Sequence, residues 1–149
     1  MSGLKVVARN KRARFDYELG DRFEAGLVLT GTEVKSLRLG KASLNEAYVR
    51  IKDGEGWLVG CQIQPYPFAY YDNHEPTRPR KLLLHKREIR RLTGKVAEQG
   101  YSLIPLAIYF KQGKAKMEIA LAKGRKKADK RAVIKKRDQE REMARALRR

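Results

Sequence analysis

Three short stretches of this chain set cations beside groups that can hydrogen-bond. Asn10-Lys11-Arg12-Ala13-Arg14 places an amide next to three cations. Glu33-Val34-Lys35-Ser36-Leu37-Arg38 leads into Gly40-Lys41, and Lys123-Gly124-Arg125-Lys126-Lys127 adds four more cations. Cations spaced along a surface meet phosphates, whereas amides, carboxylates and planar groups bond to or stack on exposed bases. Glu33 has two uses in such company: it can orient an arginine, or accept from a base or a ribose 2′-OH. Each stretch alone is equally well a solvated charged surface. Three of them on one small domain point to RNA, with log K falling against log salt at roughly −4 to −5 if about six phosphates are neutralised.

The residues that could run a reaction are few. His74 and His85 are the two histidines, eleven apart, one in a loop and one at a helix start. Cys61 is the single cysteine, so a disulfide framework and a thiolate metal site are excluded. Its neighbours at i±2, Val59 and Ile63, make it an apolar strand residue rather than a thiolate beside an imidazole. Gly40-Lys41 and Gly94-Lys95 run on into Ala42 and Val96, so neither completes a phosphate loop. Glu33, Glu46 and Asp53 would hold Mg²⁺ only by a coincidence of folding. The expectation is a protein that is not an enzyme and needs no cofactor or metal.

Charge says where the partner binds. The 149 residues carry 35 Lys+Arg and 17 Asp+Glu, a net +18. Residues 1–122 hold 22 basic and 13 acidic side chains, and residues 123–149 hold 13 and 4, so each part has a net charge of +9. Such self-repulsion in a small chain calls for a polyanion, with nucleic acid ahead of an anionic membrane surface. No apolar run approaches the roughly 20 residues of a membrane span, and Met1-Ser2-Gly3-Leu4-Lys5 lacks a signal-peptide core, which points to the cytoplasm.

Residues 1–122 are expected to form the ordered domain. Phe23, Ala25, Leu27 and Leu29 alternate along a strand over Arg22–Thr30, and Thr30-Gly31-Thr32-Glu33 caps a short helix with Val34, Leu37 and Leu39 inward. Tyr48–Lys52 and Trp57–Ile63 flank the Asp53-Gly54 turn of a hairpin, whose second arm places Trp57, Val59, Cys61 and Ile63 at period two. A second hairpin joins Tyr101–Phe110 to Lys114–Leu121, with Pro105 marking an edge or a bulge. Between them Ile89, Leu92 and Val96 trace a helix over His85–Gln99, closed by Gly100. Five or six short strands with two or three short helices imply an all-β fold, a small antiparallel barrel of the oligonucleotide-binding type. A β-sandwich is the competing arrangement. Residues 65–79 hold four of the five prolines and four of the eleven Tyr and Phe residues, and form a loop that is either functional or poorly ordered.

Residues 123–149 are expected to be a basic tail, too poor in apolar side chains to order alone. Yet Arg137, Arg141, Arg145 and Arg149 recur every four residues, Lys136–Glu140 pair at i,i+4, and no helix breaker interrupts residues 128–149. That describes a segment disordered in isolation and helical among phosphates, set against a featureless tail.

At these same residues the sequence resembles tmRNA-binding small protein B (SmpB), the bacterial trans-translation factor. The resemblance lies in Asn10-Lys11-Arg12-Ala13, Phe23-Glu24-Ala25-Gly26-Leu27, Gly31 to Arg38, Pro76 to Leu84, Ala122 to Lys126 and Asp129-Lys130-Arg131, in order and spacing. It implies a monomeric adaptor with an oligonucleotide-binding-like barrel that binds the tRNA-like domain of tmRNA and supports its aminoacylation. Alanyl-tRNA synthetase and an elongation factor with GTP would be met indirectly, through tmRNA, on the way to stalled ribosomes. The tail would enter the decoding centre and the empty mRNA channel. Carried over by position, Asn10, Lys11, Arg12, Glu33, Lys35, Ser36, Arg38, Lys41, Arg78, Arg80, Lys81, Lys123, Gly124, Arg125 and Lys126 would contact RNA or support the surface that does. Asp129, Lys130, Arg131, Ile134, Lys135 and Arg137 would serve the ribosome. Two positions depart from the family pattern: Ala128 stands where many members have histidine, and Gln139 where many have tryptophan. Tail contacts would then rest more on charge than on stacking. A constitutive ribosomal protein and an RNA-processing enzyme are the alternative classes.

Overall fold

The computed structural model describes residues 4–69, 71–124 and 134–143. Its elements are β1 (Leu4–Arg9), α1 (Ala13–Asp16), β2 (Tyr17–Leu27), α2 (Gly31–Arg38), β3 (Ala42–Ser43) and β4 (Tyr48–Lys52). These lead on to β5 (Glu55–Val59), β6 (Gln62–Ile63), β7 (Arg80–Leu83), α3 (Lys86–Gln99), β8 (Ser102–Lys111) and β9 (Lys114–Gly124). Residues 134–143 are also helical.

Two tight turns and a bulge shape the barrel. In each hairpin two consecutive residues adopt positive φ, Asp53 (53°) with Gly54 (73°) and Gln112 (52°) with Gly113 (76°). This is the type I′ geometry whose twist matches that of paired strands. All pairings are antiparallel, in the order β4-β5-β7-β2-β9-β8, and β8 returns to β4 through Val49 and Leu103. The ring is closed, so the structure is the small barrel and not a sandwich. Strand β1 pairs with β8 from Ala107 to Lys111. The β8–β9 register shifts between Pro105 and Ala107, so the bulge falls where β8 exchanges β4 for β1. Proline, having no N–H to donate, accounts for the break.

The barrel interior is filled by Ala25, Leu58, Leu82, Ile108, Met117 and Ile119, all buried, and Leu37 of α2 and Leu92 of α3 join the same core. Burial of each such aliphatic side chain contributes roughly 1.5–3 kcal/mol, which pins both helices to the barrel. The Thr30 N–H donates to the Glu33 carboxylate at 2.8 Å, and the His85 N–H to that of Glu88 at 3.1 Å, so each helix starts on a reciprocal cap. Gly100, with φ 66°, ends α3.

Several details depart from the sequence pattern. Leu39 lies beyond the end of α2 and is half exposed, and Val96 is likewise partly exposed. In β5 the inward positions are Gly56 and Leu58, so Trp57 and Val59 face outward. Gly60 then breaks the alternation with φ 77°, which returns Cys61 and Ile63 to the interior. Cys61 is buried, as expected, but sits between β5 and β6 rather than within a strand. The second strand begins at Tyr17, five residues before the expected Arg22. Strands β1, β3 and β7 and helix α1 have no counterpart in the sequence pattern, and the expected strand Trp57–Ile63 is split into β5 and β6.

Lys123 and Gly124, the first two residues of the expected tail, are the last two of β9. The helical run 134–143 falls on the four-residue arginine spacing and contains Ile134, Lys135, Arg137 and Gln139. Arg125, Lys126, Ala128, Asp129, Lys130 and Arg131 lie outside the described residues.

Candidate nucleic-acid interface

The residue that organises one end of the barrel is Glu33. Its position on the first turn of α2 faces inward, and the side chain is fully buried. A buried carboxylate needs partners, and it has three. Arg78 donates from Nε at 3.1 Å and from Nη2, Arg80 donates from Nε, and the Thr30 N–H completes the set. Burial is the largest single influence and by itself would raise the Glu33 carboxyl; the bonds from Arg78, Thr30 and Arg80 outweigh it and hold the group below the usual carboxylate range.

Arg80, also fully buried, opens β7 and spreads its remaining donors over backbone. Nη1 donates to the Cys61 carbonyl at 2.8 Å, and Nη2 to the Pro76 carbonyl at 3.1 Å. One guanidinium thus joins α2, the β5–β6 connection and the loop before β7. Burial pushes the neighbouring Cys61 thiol up to about 11, which keeps it a neutral thiol near neutral pH.

Around this ionic core the surface is cationic. Lys35, Arg38 and Lys41 are exposed, and Arg78 is partly exposed. Two of them rest on aromatic rings: Lys35 Nζ lies 5.5 Å from the centroid of Tyr66, and the Arg38 guanidinium 5.4 Å from that of Phe110. Such contacts steady a cation without neutralising it. Lys81 lies farther round the barrel, paired across the strands with Glu55 at 3.4 Å.

A second cationic group gathers where β1, α1 and β9 meet. Asn10 donates its amide N–H to the Pro105 carbonyl at 3.0 Å and accepts from the Arg12 N–H at 3.3 Å. The bulge at Pro105 thereby holds the turn that displays Lys11 and Arg12. Tyr17 pairs with Gly124, which draws the end of β9 alongside α1. Lys123 stands on Tyr101, 4.8 Å from the ring centroid, and Arg12 lies 6.0 Å from the Phe15 centroid. Arg12 also meets Asp16 at 3.6 Å.

The first of the stretches singled out in the sequence and the described part of the third, Lys123-Gly124, therefore come together, and the second stands apart. The Phe110 and Pro105–Tyr101 positions that mark the two groups are five to nine residues apart along β8 and the residue before it, on the order of 17–30 Å at strand rise. Three of the expected residues, Glu33, Ser36 and Arg80, are fully buried and lie beneath the exposed cations rather than among them. Sequence reasoning named the cations but missed the rings beneath them, Phe15, Tyr66, Tyr101 and Phe110, because an aromatic that seats a cation resembles an ordinary core aromatic.

It also missed how residues 65–79 are held. The Asn73 amide brackets Tyr66, accepting from its N–H at 3.1 Å and donating to its carbonyl at 2.9 Å. The His74 ring spans Ile63 and Thr32, 2.9 Å from each. A carbonyl only accepts, so Nε2 carries the hydrogen toward Ile63. The Asn-His dipeptide between prolines was the available signal.

No helix among the described residues is long and apolar enough to cross a membrane, and among the described residues no group of three or more His, Cys, Asp and Glu is arranged to hold a metal ion.

Comparison with known proteins fits this geometry. The SsrA-binding protein of Acidothermus cellulolyticus is 58% identical over 146 residues, covering 98% of this chain and 92% of that protein. The SsrA-binding protein of Geobacter metallireducens is 56% identical over 146 residues, covering 98% and 95%. A chain of the solved structure described as "tmRNA-SmpB: a journey to the center of the bacterial ribosome" superposes with a TM-score of 0.68 at 48% identity, over 85% of this chain and 87% of that one. The family model described as SmpB protein matches residues 7–149. The match takes in the barrel, both cationic groups and the helical run beyond them, and the chain belongs to the SmpB protein family.

Proposed function

We propose that the chain is the RNA-binding adaptor of trans-translation. It binds the tRNA-like domain of tmRNA, supports its aminoacylation and accompanies it to ribosomes stalled on broken messages. Alanyl-tRNA synthetase and the GTP-bound elongation factor act on it indirectly, through tmRNA. The observation that carries this reading is the pair of cationic groups on one closed barrel, in a chain of this family. Lys35, Arg38, Lys41 and Arg78 form one set of phosphate contacts, with Glu33, Ser36 and Arg80 beneath them. Lys11, Arg12 and Lys123 form the other, with Asn10 and Gly124 fixing its backbone; Lys81, Arg125 and Lys126 extend the positive surface.

The barrel domain, residues 1–122, holds the RNA, while residues 123–149 serve the ribosome. In this division Asp129, Lys130 and Arg131 lie at the decoding centre. Ile134, Lys135 and Arg137 lie in the helix that enters the empty mRNA channel. The protein works as a monomer in the cytoplasm, without cofactor, metal or enzymatic turnover.

Crosslinking the protein in cells and sequencing the attached RNA tests the reading. Enrichment of tmRNA and of stalled ribosomal complexes is the expected result. One copy on every ribosome would instead describe a constitutive ribosomal component, and turnover of RNA by the pure protein with Mg²⁺ would describe an enzyme.

A further inference from the structure

The loop before β7 presents aromatic rings that the cationic groups leave unused. Phe68 is 71% exposed and Tyr71 is 87% exposed, far more than an apolar ring shows when it serves a core. Hydrogen bonds hold the chain on both sides of these rings. The Ala69 N–H donates to the Tyr66 carbonyl at 3.2 Å, and the Asn73 bracket closes the loop at its other end. Phe68 meets Tyr66 edge-on, with centroids 5.4 Å apart and planes at 70°, and Tyr66 in turn lies under Lys35. Lys35 is therefore shared between this loop and the phosphate-contacting face of α2.

We propose that the tip of this loop is a stacking site for an unpaired nucleobase of the tRNA-like RNA, with Phe68 as the principal ring. The inference rests on the function proposed above and names a subsite within it. An exposed ring joined through Tyr66 to a cation matches the alternation of base and phosphate along a single strand, and every base offers a π-face. The loop's acids, Asp72 and Glu75, follow the tip in sequence, so attraction for the phosphate comes from Lys35 and its α2 neighbours. A protein partner is disfavoured by charge: the chain is +18, and the Tyr66 ring on which Phe68 packs carries Lys35.

The test is a titration of the full chain with a transcript of the tRNA-like domain at several salt concentrations. Phe68→Leu keeps an apolar side chain but removes the π-face, and at an exposed position it should leave the unfolding midpoint unchanged. Its affinity should fall about tenfold, within the range measured for loss of one stacked base, with the salt slope unchanged because every phosphate-binding cation is still present. Phe68→Trp should restore wild-type binding or exceed it. Equal affinity of Phe68→Leu and wild type overturns the inference while leaving the functional reading intact. So does a loss confined to ribosome or protein binding. If wild type itself does not bind the transcript, the functional reading fails and takes the inference with it.

Discussion

Glu33 and Arg80, 47 residues apart in sequence, form an ion pair in which neither side chain reaches solvent. Removing Glu33 leaves the buried Arg80 charge uncompensated, so Glu33→Ala should cost about 3–5 kcal/mol, read as a lower denaturant midpoint. Arg80→Ala leaves Glu33 still paired with Arg78 and should cost less. Glu33→Leu combined with Arg80→Met should recover part of that loss. If either single variant unfolds at the wild-type midpoint, the pair is not holding the fold.

The same carboxylate sets an acid limb. Its ordinary value is 4.5 and the folded protein holds it lower. The stabilisation is thus complete above 4.5 and is lost as pH falls through the depressed folded value. Wild type should lose stability below 4.5 more steeply than Glu33→Gln, although the variant starts from a lower plateau. Parallel curves in acid would show that other carboxylates dominate.

Gly60 should tolerate no side chain. With φ 77°, a Cβ there would lie 2.7 Å from the Glu46 carbonyl oxygen. At Gly54, with φ 73°, a Cβ meets open space. Gly54→Ala should cost about 1 kcal/mol for the left-handed backbone alone, and Gly60→Ala clearly more, as measured by chemical denaturation. Equal costs would mean that the β5–β6 connection relaxes easily.

Charge reversal at Lys35 and Arg38, or at Lys11 and Lys123, should weaken RNA binding and reduce the magnitude of the salt slope by about 0.7–0.9 for each phosphate no longer neutralised. The two pairs belong to separate groups, so their effects should add. An unchanged slope in either pair would place those side chains off the RNA.

Truncation after Arg125 should leave affinity for the tRNA-like domain close to wild type while peptide tagging on stalled ribosomes collapses. A parallel loss of both, in a binding titration and a translation assay, would contradict the division between barrel and tail.

Much of this was legible in the sequence because it is encoded locally. The Asp53-Gly54 and Gln112-Gly113 turns, the Thr30 cap, the bulge at Pro105 and the terminating Gly100 each follow from a residue or two. What escaped detection is set by partners far away in the chain. Nothing near Arg80 announces that it turns inward, since the reason is a carboxylate on α2 and a carbonyl at Cys61. Strand β1 is too short and too exposed to show alternation, and β5 hides its register because Gly60 inverts it. The charged motifs were visible as RNA-directed chemistry, but charge alone does not separate a cation that faces solvent from one that carries the fold.

That distinction bears on which substitutions the protein can absorb. Where a surface cation does no more than neutralise a phosphate, a lysine and an arginine are near equivalents. Position 80 allows no such exchange: its planar fork serves a carboxylate and separate carbonyls at once, and a lone ammonium lacks the reach and the flat geometry to replace it. Sequence drift should therefore run freely through the outer cations while this inner one stays fixed, an architectural constraint set by shape rather than by sign.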